Sequence, residues 1–309
     1  MSDKPKQGNW QRWGSGDERG AANLVDDAKT LAAVQSAGSG KVISLSLPIS
    51  GSTSSPAAQK VPHMKGRPLP QHFMSVDGGD YAAGARHPAG GRAIADDALM
   101  VTPHGTTTHV DALCHMWRGD AIYNGHDANR IRSYGATRCG IENLGHLVTR
   151  GVFLDLPALD GRNHLDARES ITVDQLEAGL AAKQLSIESG DAVIIRTGWT
   201  EVYDSDRDLY WSGEPGLSSE AALWLAKQDV ALVGADNSAI CVLNEAGLSC
   251  DELDDDVHMI LLWQHGIYML EMLALSELAA AEAGSFLFML APLAIKGGTG
   301  SPVNPLAVL

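Results

Sequence analysis

Short apolar runs alternate with helix-spaced segments along this chain, and no other feature constrains its fold as much. Residues 191–197 (DAVIIRT) and 230–234 (VALVG) have apolar centres without alternation, as strands buried on both faces do. Residues 41–47 (KVISLSL) alternate apolar and polar side chains, as a half-buried strand does. A short apolar run at 151–156 stops before Pro157, and 266–270 and 286–290 read as further strands. Between them, 173–183 has helical spacing behind Thr172 as N-cap, and Ser218 caps a second helix over 218–228. Residues 257–264 and 276–283 read as two more helices. This mixing predicts α/β or α+β, and strand order does not follow from it. Residues 56–91, rich in Gly, Pro, Ala and His, predict long irregular loops with an edge strand or two. There is no internal repeat, and 309 residues suffice for one large domain or two modest ones.

A formal net charge of −15 argues against nucleic-acid binding, which needs a basic footprint, and against docking on anionic membranes. No apolar stretch approaches the length of a membrane span, and 1–16 has no apolar leader core. Cys114, Cys139, Cys241 and Cys250 form no CxxC pair. Free thiols in a reducing, cytoplasmic setting are the expectation.

Chemistry is concentrated in the run from His104 to His115. His104, His109, Asp111 and His115 fall within a dozen residues, among glycine and threonines. A lone histidine of this kind is more often a satisfied core residue. Three with a carboxylate point to a divalent cation. If the chain is extended at His109-Val110-Asp111, the two ligating side chains share one face. His115 then needs a turn or helix entry to reach the same point. A tight turn through Gly105 and Thr106 to Thr108 would swing His104 back towards it. Thr106 and Thr108 are the local candidates to hold the second ring nitrogen of His109.

A second constellation lies at 258–271. His258 would stand on a helix, and Glu271 ends an apolar, strand-like run where an unpaired carboxylate is costly. Exposure of Glu271 at the strand end is the competing reading. The acidic run 251–256 reads as a solvated loop or helix start.

These residues resemble the signature of the metal-dependent cyclase family, that of kynurenine formamidase- and isatin hydrolase-like enzymes. Thr108-His109-Val110-Asp111-Ala112-Leu113-Cys114-His115 matches the second half of its His-x-Gly-Thr-His-x-Asp-x-x-x-His pattern. His258, Leu261-Leu262, Gly266 and Glu271 are similar to its distal element. Arg196-Thr197-Gly198-Trp199, Pro215-Gly216-Leu217, Val233-Gly234-Ala235-Asp236-Asn237 and the opening Trp13-Gly14…Asp17-Glu18…Gly20…Asn23 of longer members also match, in the family's order. The resemblance implies one α/β domain over 1–309, with a central mixed, barrel-like sheet flanked by helices. Residues 1–23 would form an arm that reaches a neighbour or packs on its own domain. It implies His109 and Asp111 as metal ligands, His258 and Glu271 as distal ligands, and His115 as the acid/base. Zn²⁺ or Mn²⁺, one ion or two, fits such a set. The pattern departs at Gly105, where the family's first ligand stands; His104 is one residue further back. Either a bulge restores its reach or a two-ligand remnant is left.

The implied reaction is hydrolysis of an amide, lactam or lactone of a small, cyclic or aromatic substrate by metal-activated water. A dienelactone-type lactonase and a metal-poor binding or scaffold protein are the alternatives. Trp13, Phe73 and Trp117 are the tentative pocket aromatics, with Tyr123 and Trp199 also considered. Arg196 or His72 would pair with a substrate carboxylate. A nucleophilic or ligating Cys114 is disfavoured, because alternation turns it away from His115. A homodimer or homotetramer is expected from the resemblance.

Overall fold

The computed structural model describes residues 8–50, 61–64, 66–250 and 256–309. Nine strands form one mixed sheet: β1 (Val42–Ser44), β2 (His109–Asp111), β3 (Leu147–Asp155), β4 (Ala192–Arg196), β5 (Leu232–Ala235), β6 (Tyr268–Glu271), β7 (Ser285–Leu290), β8 (Gly300–Pro302) and β9 (Leu306–Val308). Their order across the sheet is β1-β9-β7-β3-β4-β5-β6-β2-β8. The central strands β3, β4, β5 and β6 are parallel, and every other pairing is antiparallel. Helices flank this curled sheet, which gives the mixed α/β class expected from the sequence.

Parallel strands need crossovers that cover the sheet. Helix α1 (Asp27–Gln35) precedes β1, α2 (Val173–Ala182) lies between β3 and β4, and α3 (Ser219–Lys227) between β4 and β5. Thr172 caps α2 in a full capping box with Gln175, and Ser218 accepts from Ala221 N at the start of α3. Burial on both faces is why β4 and β5 are apolar without alternation: all of β5 is buried, as is all of β4 before Arg196. Asp236, just after β5, ties the strand ends together, accepting from Thr197 N, Thr197 Oγ1 and Gly198 N at 2.6–2.7 Å.

Two expectations need correction, and the edge strand expected within 56–91 is present. Residues 259–264 form a wide π-helical turn, which the 3.6-residue pattern does not distinguish from an α-helix. The last helix is shorter than expected, Ser276–Ala280. Within 56–91, Gln71–Val76 pairs with Asp96–Met100 as a separate antiparallel hairpin, while 56–60 lie outside the described residues. The described part of the N-terminal arm packs on its own chain: Asn9 N donates to Gln264 O, Trp10 Nε1 to Trp263 O and Ala21 N to Gly266 O. Among the described residues, no helix is long and apolar enough to cross a membrane.

Candidate metal centre

Strand β2 is only three residues long, yet its register builds the site. It lies between β6 and β8, with Glu271 opposite His109 and Gly300 opposite Asp111. Val110 is fully buried on the face opposite its neighbours. His109 Nε2 therefore comes within 3.2 Å of Glu271 Oε2 and 3.4 Å of Asp111 Oδ1. The ring is fixed by its other nitrogen, which meets the Thr107 carbonyl at 2.8 Å. That corrects the expectation for Thr106 and Thr108, whose hydroxyls donate to the carbonyls of Thr102 and Met272 instead.

The turn at 104–108 brings His104 back as the bulge argument required. Gly105 adopts φ +67, and His104 Nδ1 lies 2.9 Å from Asp111 Oδ1, with Nε2 3.0 Å from Thr299 Oγ1. Gly300 makes room for this ring, since a Cβ there would meet His104 Cε1 at 2.7 Å. His115 stacks on His104 with centroids 3.9 Å apart, and its Nε2 is 4.0 Å from Asp111 Oδ2. His258, at the mouth of the π-helical turn, places Nε2 3.3 Å from Glu271 Oε1 and 3.9 Å from Asp111 Oδ2. All six residues named from the sequence thus converge, including Glu271, which is buried and not an exposed strand end.

The electrostatics follow from four imidazoles around two buried acids. Burial opposes ionisation of Asp111, but His115, His104 and His109 outweigh it and hold the carboxyl well below the usual range. Burial and Asp111 push Glu271 up, yet His109 and His258 bring it net down. Burial lowers the pKa of His109, and Glu271 and Asp111 reverse that. For His115 burial prevails and takes it down to about 4. Cys114 is buried against Gly298 O, and burial lifts its thiol to about 12, so it offers no thiolate.

Asp256 is a residue that sequence reasoning misread. Residues 251–255 lie outside the described residues, but Asp256 is buried, not solvated. Its Oδ1 accepts from His258 N at 2.8 Å and lies 3.6 Å from His258 Nδ1. A carboxylate two residues before a candidate ligand was the available signal.

A cavity of about 240 Å³ opens onto His104, His115, His258 and Glu271, with Met64, Met116 and Leu243 as apolar wall and Arg67 also lining it. Trp13, Phe73 and Trp117 are not among its lining residues. Trp13 sits under the Arg12 guanidinium, Phe73 is on the exposed hairpin, and Trp117 is exposed. Tyr123 and Trp199 are wholly buried in the core. Arg196 is held by Asp155 and Glu201 beside a separate cavity of about 400 Å³, and His72 pairs with Asp97 on the hairpin, so neither reaches this centre.

A divalent cation fits the donor set. Among the described residues, His109 Nε2, Asp111 Oδ2 and Glu271 Oε1 are buried without a hydrogen-bond partner, a costly state unless something binds them. Ligand atoms of His109, Asp111 and Glu271 lie within 4.8 Å of one another, as do those of His104, Asp111 and His115. Borderline nitrogen and hard oxygen donors of this kind suit Zn²⁺ and Mn²⁺ alike.

Comparison with known proteins agrees with the motifs. The model of the family Cyclase, described as "Putative cyclase", matches residues 43–240. A crystal structure of a novel cyclase is 33% identical, with 98% of each chain covered and a TM-score of 0.87. Isatin hydrolase A from Ralstonia solanacearum is 20% identical over 92% of this chain and 97% of its own, with a TM-score of 0.59. A predicted metal-dependent hydrolase from Bacillus stearothermophilus is 21% identical over 86% and 97%, with a TM-score of 0.53. No curated protein matches the chain.

Proposed function

Because the chain belongs to the Cyclase family, we propose that it is a metal-dependent hydrolase that opens an amide, lactam or lactone bond of a small cyclic or aromatic substrate. One observation carries this reading. His109 Nε2, Asp111 Oδ2 and Glu271 Oε1 are buried with no hydrogen-bond partner among the described residues, and they belong to three residues whose ligand-type atoms lie within 4.8 Å of one another. These residues would hold one ion, and His258 with Asp111 and Glu271 a second. Such a cation, when bound, supplies a Lewis acid for the acyl oxygen and an activated water near neutral pH.

The chain's own groups do the rest. The Thr107 carbonyl accepts from His109 Nδ1–H, so Nε2, which faces the acids, is the nitrogen that would give up its proton to hold the ion. Asp256 accepts from the His258 backbone N–H at 2.8 Å and pairs electrostatically with its ring at 3.6 Å from Nδ1. His115, on the cavity wall and neutral near pH 7, takes the proton released by the attacking water and passes it to the leaving nitrogen or oxygen. Met64, Met116 and Leu243 exclude bulk water, and Arg67 meets a substrate carboxylate.

The test is metal analysis of purified protein, followed by a panel of formanilides, isatins, cyclic imides and lactones with and without Zn²⁺ or Mn²⁺. Isatin heads the panel, since an isatin hydrolase is among the structural relatives. Metal below about a tenth of an equivalent, with no hydrolysis on adding it, refutes the enzyme and favours a binding or scaffold role.

We also propose that residues 1–309 act as one domain within a homodimer or homotetramer. The separate hairpin carries Phe73, Leu99 and Met100 with 59%, 52% and 65% exposure, and an isolated two-stranded hairpin is marginal in water. Sedimentation as a monomer at micromolar concentration would refute the assembly.

A further inference from the structure

Cys241 stands apart from the two central acids, yet it lines the same cavity, together with Asp256 and His258. The turn that carries it is pinned. Ile240, buried and β-branched, adopts φ +58 just before it, a conformation that persists only when its surroundings enforce it. Asn237 supplies that enforcement, donating to Pro215 O at 2.6 Å and accepting from Ile240 N at 3.0 Å.

One ligand-type atom on each of Cys241, Asp256 and His258 lies within 4.8 Å of the other two. The two nitrogens of His258 face different groups. Nε2 is 3.3 Å from Glu271 Oε1, whereas Nδ1 is 3.6 Å from Asp256 Oδ1. The second distance is too long for a hydrogen bond. It is close to the spacing of two ligands on one tetrahedral ion, since nitrogen and oxygen donors each about 2.0–2.1 Å from Zn²⁺ stand about 3.3 Å apart. Three protein donors with a fourth position open to the cavity complete such a coordination sphere.

The donor types choose the ion. A thiolate selects Zn²⁺ and other thiophilic cations, whereas Mn²⁺ suits carboxylates. The groups around Asp111 contain no sulfur. Burial pushes the Cys241 thiol up to about 11, and a coordinating cation deprotonates a thiol outright. A neutral imidazole has one lone pair, so His258 serves the Cys241 side or the Glu271 side, one at a time.

We propose that Cys241, Asp256 and His258 form a cation site distinct from the carboxylate centre, selective for thiophilic divalent ions such as Zn²⁺ and Cd²⁺. It stands independently of the hydrolase reading, because what defines it is a metal–sulfur bond and not turnover.

The test uses the full chain carrying Cys250→Ser, which removes the exposed thiol. The protein is stripped with a chelator and titrated with Cd²⁺, and the sulfur-to-cadmium charge-transfer absorption in the ultraviolet is followed. The band should appear in this background and vanish when Cys241→Ser is added. Glu271→Gln, which dismantles the carboxylate side, should leave it in place. Asp256→Asn should weaken Cd²⁺ binding roughly tenfold or more. Zn²⁺ should displace Cd²⁺ at roughly a tenth or less of the Mn²⁺ concentration that does so. No band in the Cys250→Ser background, a band that survives Cys241→Ser or disappears with Glu271→Gln, unchanged affinity in Asp256→Asn, or equal displacement by the two ions overturns the proposal. Should Cys241→Ser fail to fold, X-ray absorption of the Zn²⁺-loaded Cys250→Ser protein decides. A sulfur neighbour at about 2.3 Å supports the site, and nitrogen and oxygen neighbours alone refute it.

Discussion

Replacing Gly105 tests the geometry that puts His104 at the centre. Residue 105 has φ +67, where an alanine costs about 1–2 kcal/mol. A Cβ there would also stand 2.7 Å from Met64 Cβ, a carbon fixed to the backbone. Overpacking of that kind costs about 1–3 kcal/mol. The unfolded chain returns about 0.4–1 kcal/mol, because alanine is less free than glycine. Gly105→Ala should therefore destabilise the protein by roughly 2–4 kcal/mol, a fall in Tm of about 3–6 °C for a chain of this size. Gly105→His should cost as much and gain no ligand, although the family pattern places a histidine there.

The assay is thermal unfolding of metal-free and metal-loaded protein, with metal affinity measured by competition against a chelator. Met64→Gly in the Gly105→Ala background should recover the steric part, with a coupling of about 1–3 kcal/mol, and leave the backbone part. His104→Ala should weaken metal binding. A Gly105→His variant that bound metal more tightly than the parent, or a His104→Ala variant with parent affinity, would refute the placement of His104.

Three further outcomes follow from the geometry. His115→Ala should retain metal and lose about 10²–10⁴-fold in kcat, and near-parent turnover would exclude its proton-transfer role. Asp256→Asn should weaken binding of the ion held by His258 about 10–100-fold, measured by metal titration. Burial pushes the Glu214 carboxyl up to about 8, above its ordinary value of 4.5, so its stabilising effect is complete below the ordinary value and is lost as pH rises through about 8. Between pH 6 and 8 the parent should lose roughly 2 kcal/mol more than Glu214→Gln in urea unfolding, and parallel profiles would show that Glu214 is already ionised.

What the sequence discloses depends on how each element earns its burial. Strands β4 and β5 lie inside a parallel sheet, so their apolar character is continuous and readable in isolation. Helices α2 and α3 carry their caps in the adjoining residue, which makes their starts local as well. The short strands β8 and β9 are three residues each and antiparallel to partners distant in the chain, so no periodicity announces them. Pro302 obscures β8 further, since proline within a run argues against a strand unless it lies at the sheet edge, as here.

The site divides along the same line. His109 and Asp111 share a face because a strand has period two, a local rule that the sequence expresses. Glu271 joins them only through the pairing of β6 with β2, which period and composition leave open; the family motif was what linked the two halves. The parts that stayed invisible belong to the backbone or to empty space. The acceptor for His109 is the carbonyl of Thr107, an atom every residue carries, and the seat of the His104 ring is the missing side chain of Gly300. Asp256 looks like a surface acid in the sequence and comes to the candidate site only because the fold buries it next to His258. A bare sequence ranks residues by type, and at this centre the decisive property of each acid is what it loses when water is removed.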